Sequence, residues 1–140
     1  MAKRRVMPVK ILIADDYGAF REFLKSFVAK IPEMCIAGEA ADGEEAVQLV
    51  GHLKPDLVLM DIEMPRMDGL EASRQIKALS IPTKVVLLSA LADEAHSKGA
   101  ADSGADGLLA KGTSVHQMNI ALRNLAVHGS GGLDEVSFHG

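Results

Sequence analysis

Five side chains able to handle a hard cation or a phosphoryl group stand directly after short apolar runs. Asp15 and Asp16 follow Ile11–Ala14, Asp61 follows Leu57–Met60, Ser89 follows Val85–Leu88, and Lys111 follows Leu108–Ala110. Each alone has an ordinary explanation, since Asp and Ser cap helices and shape turns and Lys faces water. Together they resist it. A given charged type occupies a given position about 6% of the time, so three Asp and one Lys at four named positions arise by chance about once in 10⁵. Carboxylates crowded into one cleft repel by about 4 kcal/mol per pair at 4 Å and an effective dielectric of 20. A divalent cation relieves that repulsion, and oxygen ligands favour Mg²⁺ or Mn²⁺. A metal held by part of the set leaves room for a phosphoryl group, onto which an Asp oxygen can add as nucleophile to form an acyl phosphate. The Lys111 ammonium and the Ser89 hydroxyl would then serve the equatorial oxygens. Ala90, being small, leaves the approach beside Ser89 open.

To meet, these residues need a fold that brings the ends of separate apolar runs to one rim. The runs, with Met34–Ala37 as a fifth, are short, continuous and rich in branched residues, as strands covered on both faces are. Segments with helical period separate them. Phe20, Phe23, Leu24, Phe27, Val28 and Ile31 mark one apolar stripe. Asp42 followed by Glu45 resembles a capping box opening a helix through Ala46, Val47, Val50 and Leu53, which Pro55 stops. A third helix spans about Asp68 to Leu79 and ends before Pro82, and Val115, Met118, Leu122 and Leu125 mark the last. The segment from Ala92 to Ala105 has little apolar anchor and carries Gly99, which costs about 1 kcal/mol relative to Ala inside a helix; it is expected to be the least stable layer. Five β-α units predict right-handed crossovers and a mostly parallel sheet with helices on both faces. In such sheets ligands bind beyond the carboxyl ends of the strands, where all five polar residues fall.

The composition suits one soluble domain: 140 residues, 48% hydrophobic and 24% charged, with a net charge of −4. That charge argues against nucleic-acid binding through a broad basic face. Lys3, Arg4 and Arg5 read as a solvated tail. The single cysteine, Cys35, excludes an internal disulfide and any CxxC motif. No apolar stretch is long enough to cross a membrane and no signal-like segment opens the chain, so a cytoplasmic location is expected. The five histidines lack ligand spacing, no dinucleotide or nucleoside-triphosphate loop occurs, and Ser89 lacks a nucleophile elbow. Met60, Met64, Met67 and Met118 read as core and turn packing.

From about residue 9 to 127 the chain resembles the receiver domains of two-component response regulators. The elements are Ile13-Ala14-Asp15-Asp16, the run Asp61-Ile62-Glu63-Met64-Pro65-Arg66-Met67-Asp68-Gly69, then Leu88-Ser89-Ala90, and Gly107-Leu108-Leu109-Ala110-Lys111. The D-x-x-M-P-x-M-D-G segment is highly specific. The resemblance implies a flavodoxin-like, doubly wound α/β fold with five parallel strands in the order 2-1-3-4-5, placing the first and third strands side by side. It implies Asp61 as phospho-acceptor and Mg²⁺ on Asp16, Asp61 and the Glu63 backbone carbonyl, with Asp15 acting through a bound water. Ser89 and Lys111 would hold the phosphoryl oxygens. The phosphodonor would be a histidine kinase or phosphotransfer protein. Three positions depart from the pattern: Leu108 stands where an aromatic switch residue is usual, Gly112 where Pro or an acidic residue is usual, and Glu63 adds a carboxylate two residues after the acceptor.

The expected division is an N-terminal tail (1–8), a receiver domain (9–128) and a flexible C-terminal tail or linker stub (129–140). The match is strongest to receivers that precede a helix-turn-helix output domain. Ile120 and Val127 lie off the stripe of the last helix and could form an apolar patch for a homodimer, or stand as isolated exposed residues. The alternative to a phosphorylated switch is a protein-interaction module with a relic pocket. A metal-dependent phosphatase is a third reading, and the chain offers no substrate lid for it.

Overall fold

The computed structural model describes residues 8–90 and 93–128. The chain alternates strand and helix: β1 (Val9–Ala14), α1 (Gly18–Ala29), β2 (Met34–Ala40), α2 (Gly43–Leu53), β3 (Leu57–Asp61), α3 (Gly69–Ala78), β4 (Lys84–Ser89), α4 (Glu94–Asp102), β5 (Gly107–Ala110) and α5 (Val115–His128). All five strands are parallel, in the order β2-β1-β3-β4-β5. The tail residues 1–7 and 129–140, Ala92 of the weakly anchored segment and the side chain of Val127 lie outside the described residues.

Alternate side chains of each strand enter two cores, as the two-residue strand period requires. Ile11, Ile13, Leu57, Leu59, Val86 and Leu88 meet α1 and α5 on one face. Leu12, Ala14, Val58, Met60, Val85 and Leu87 meet α2, α3 and α4 on the other. Strands covered on both sides read as unbroken apolar runs for this reason.

Local signals set the helix ends. Asp42 caps α2 by accepting the Glu45 N–H at 2.8 Å, and Glu45 reaches back to the Ala41 N–H at 2.9 Å. Asp68 caps α3 through the Glu71 N–H at 2.9 Å, and Asp93 caps α4 through the His96 N–H at 2.9 Å. α2 ends at Leu53, one residue before Lys54 turns to φ 46°. Met60 and Met118 are fully buried, and Met64 and Met67 pack against the core, as their apolar character suggests.

Three elements differ from the sequence expectation. β2 continues past Ala37 to Ala40, because a register shift between Ile11 and Leu12 lets Gly38 pair with Leu12 and carries the strand through polar Glu39. The α1 stripe divides: Leu24, Phe27, Val28 and Ile31 are buried, whereas Phe23 is exposed. Val115 is exposed as well, so the buried stripe of α5 begins at Met118.

Candidate functional site

Parallel register brings the acidic residues together. Ala14 pairs with Met60 across β1 and β3, so Asp15 and Asp61 leave neighbouring strands at the same level. Asp15, Asp16 and Asp61 each offer a carboxylate oxygen, and these lie within 4.8 Å of one another. Asp15 and Asp61 are buried and Asp16 is exposed. On the other side, β4 and β5 end together: the Lys111 N–H donates to the Ser89 carbonyl at 2.8 Å. This pairing carries the Lys111 ammonium over the hollow, 2.8 Å from Asp15 Oδ2 and 3.5 Å from Asp61 Oδ2. Ser89 is buried at the same rim.

The electrostatics follow from burial. Loss of water, then the neighbouring Asp15 charge, pushes the Asp61 carboxyl up to about 6, against the opposing Lys111 charge and a hydrogen bond from the Glu63 N–H. Burial pulls the Lys111 ammonium down, but close contact with Asp15 and the charge of Asp61 outweigh it and leave its pKa above the ordinary value. Asp15 Oδ2 is buried with no aligned hydrogen-bond donor, although the Lys111 charge stands beside it. Among the described residues the Lys111 ammonium pairs with two of the three clustered carboxylates, Asp15 and Asp61. The donor set is hard oxygen, partly buried, and short of positive charge, which suits a small divalent cation.

Sequence reasoning placed Asp15, Asp16, Asp61, Ser89 and Lys111 at one rim, and the structure brings them there. Asp15 makes the closer contact with Lys111, at 2.8 Å against 3.5 Å for Asp61. Glu63 is exposed in its side chain, and its backbone is what reaches Asp61. Leu108 is buried in the core beneath α2, α3 and α4, so the position where an aromatic switch is usual is filled by an aliphatic packing residue. Residues that the sequence did not single out support the site. Arg21 donates to the Asp15 carbonyl at 2.6 Å and pairs with Glu39 at 3.1 Å. The Phe20 ring, read from its spacing as core stripe, lies 4.5 Å from the Lys111 ammonium, a cation–π contact. Its place in α1, one turn after Asp16, is the only sequence signal for that role.

A doubly wound parallel sheet with an acidic hollow at the carboxyl ends of its strands defines a small α/β domain whose working residues sit on one rim. The family is shown by comparison: a model of the response regulator receiver domain matches residues 11–123, and the chain belongs to that family. It is 49% identical over 86 residues to protein-glutamate methylesterase/protein-glutamine glutaminase 4 of Myxococcus xanthus, covering 61% of this chain and 24% of that protein. It is 36% identical over 117 residues to the response regulator protein VraR of Staphylococcus saprophyticus, covering 84% and 56%. The signal receiver domain of the putative response regulator NarL from Mycobacterium tuberculosis has a TM-score of 0.82 at 31% identity, over 86% of this chain and 97% of that one. A chain of the CheX-CheY-BeF3-Mg²⁺ complex from Borrelia burgdorferi has a TM-score of 0.77 at 29% identity, over 87% and 90%. The chain spans about a quarter to about half of the length of these curated relatives. The fold is that of domains acting as phosphorylation-driven switches rather than turnover enzymes. Among the described residues no helix is long and apolar enough to cross a membrane.

Proposed function

We propose that residues 9–128 form a receiver unit that takes a phosphoryl group onto Asp61 in a Mg²⁺-dependent step and changes its surface in response. The observation that carries this reading is the convergence of three carboxylates and one lysine from β1, β3 and β5 within a single hollow. Asp16, Asp61 and the Glu63 carbonyl would hold the ion, with Asp15 serving through a water and through Lys111. Bound there, Mg²⁺ (or Mn²⁺) supplies the positive charge that lets carboxylate and phosphoryl oxygens approach. The similarity to a chain solved with a fluoroberyllate and Mg²⁺ supports the same chemistry.

An Asp61 carboxylate oxygen attacks phosphorus, the bond from phosphorus to the donor nitrogen breaks, and the electron pair leaves with the donor imidazole, which takes up a proton. Lys111 neutralises charge on the phosphoryl oxygens as it moves from Asp15 toward them, and the Ser89 hydroxyl donates to one of them. The partner is accordingly a histidine kinase or phosphotransfer protein, in a cytoplasmic setting, and Ile120, exposed on α5, offers one apolar point for a homodimer through that helix.

Incubation with a small phosphodonor and Mg²⁺ is expected to give stoichiometric, acid-stable, base-labile incorporation that is abolished in Asp61→Ala and by chelation. Absence of incorporation would instead support an interaction module with a relic pocket, and continued multiple turnover would support a phosphatase.

A further inference from the structure

The loop between β3 and α3 carries the Glu63 backbone to Asp61, and its position is set from outside the acidic hollow. Asp42, in the turn before α2, has two tasks. Its Oδ1 accepts the Glu45 N–H at 2.8 Å and caps the helix, while its Oδ2 accepts Arg66 Nε at 2.9 Å. Arg66 has φ 67°, a left-handed conformation unfavourable for a residue with a Cβ that persists where its surroundings hold it. The next residue is gripped through its backbone: the Met67 carbonyl accepts the Gly43 N–H at 3.1 Å. The approach is so close that a Cβ on Gly43 would stand 2.1 Å from the Met67 oxygen. At the far end the Gly69 N–H donates to the Ile62 carbonyl at 2.6 Å, and a Cβ there would stand 2.3 Å from the Asp61 backbone carbonyl oxygen. Backbone therefore meets backbone at both ends of the loop, and the Asp42–Arg66 pair joins α2 to its middle.

We infer that Asp42 and Arg66 are positioning residues for the metal site: their pairing holds the β3–α3 loop so that the Glu63 backbone faces Asp61. Neither touches the reacting atoms. The inference rests on the magnesium-dependent reading above and adds a determinant on a different helix. Loss of groups that orient metal ligands commonly weakens binding about 10–100-fold. The Arg66 side chain is 65% exposed, and exposed pairs sit at the weak end, so a loss of about 3–10-fold is expected.

The test titrates Mg²⁺ into the full chain as wild type, Asp42→Ser, Arg66→Asn and the double variant. Ser keeps an N-cap oxygen, and Asn tolerates the left-handed conformation. Each single variant is expected to bind Mg²⁺ about 3–10-fold more weakly, with the double no worse than either, as for one coupled pair. The phosphorylation rate at saturating Mg²⁺ stays at the wild-type value, while the Mg²⁺ concentration giving half that rate rises. Metal-free amide exchange across residues 62–68 is expected to quicken in each variant with melting temperature nearly unchanged. Wild-type affinity and loop exchange in both singles would overturn the inference, as would losses that multiply in the double. If the wild type binds no Mg²⁺, the magnesium reading falls and the metal-free exchange decides the positioning role: faster exchange supports it and unchanged exchange overturns it.

Discussion

The two sides of the α2–α3–α4 layer are built differently. Between α2 and α3 the β3–α3 loop is clamped by two glycines that admit backbone where a Cβ would not fit. α4 instead buries one residue of its own, Ala100. Its firm attachments gather at its C-terminal end, where Ser103 Oγ donates to Ser73 Oγ at 3.1 Å. Close by, Lys77 donates to Asp106 at 2.6 Å. The difference teaches how one small domain can bind and switch. The wall that supports the acceptor is stiff, which keeps ligand atoms in place, and the opposite wall has little burial to lose when it repacks.

Substitutions at glycine test that contrast most severely. Gly43→Ala or Gly69→Ala is expected to cost about 2–4 kcal/mol, because backbone must shift to admit the new Cβ. Gly99→Ala in α4 is expected within about 1 kcal/mol of wild type: the Cβ meets the end of the Leu70 side chain at 3.1 Å, and the better helix propensity offsets the adjustment. Urea denaturation of the three variants checks this, and equal losses at all three sites would erase the distinction.

The next effect concerns the charge that the stiff wall confines. A carboxyl whose pKa rises from 3.8 to about 6 on folding favours the fold while protonated. Its contribution is fully present below pH 4 and is lost as pH climbs through about 6. Without metal at pH 7.5, Asp61→Asn is therefore expected to stabilise by roughly 1–3 kcal/mol. The gain should vanish near pH 4 and shrink as Mg²⁺ is added. Denaturation of both proteins across that range measures it, and a pH-independent difference would show that the carboxylates do not strain the site.

The smallest effect lies in α4. Its amides are expected to exchange faster than those of α2 and α3, and a phosphoryl mimic should change their opening free energy by about 1 kcal/mol, roughly fivefold in exchange rate. Identical protection with and without the mimic would place the switch elsewhere.

The sequence alone determined the strand runs, the capping of α2 by Asp42, the start of α3 near Asp68, the sparse apolar anchoring of α4, and the arrival of Asp15, Asp16, Asp61, Ser89 and Lys111 at one rim. These follow from local periodicity, turn chemistry and the rule that parallel strands end on the same side. Only the tertiary structure decided that Asp15 and Asp61 rather than Asp16 pair with Lys111, that Phe20, half-buried against the core, also faces the ammonium, and that Arg66 pairs with Asp42 across 24 residues. Those outcomes depend on register between strands and on how closely two backbones approach, distances set by the packing of separate elements and carried by no short stretch of chain.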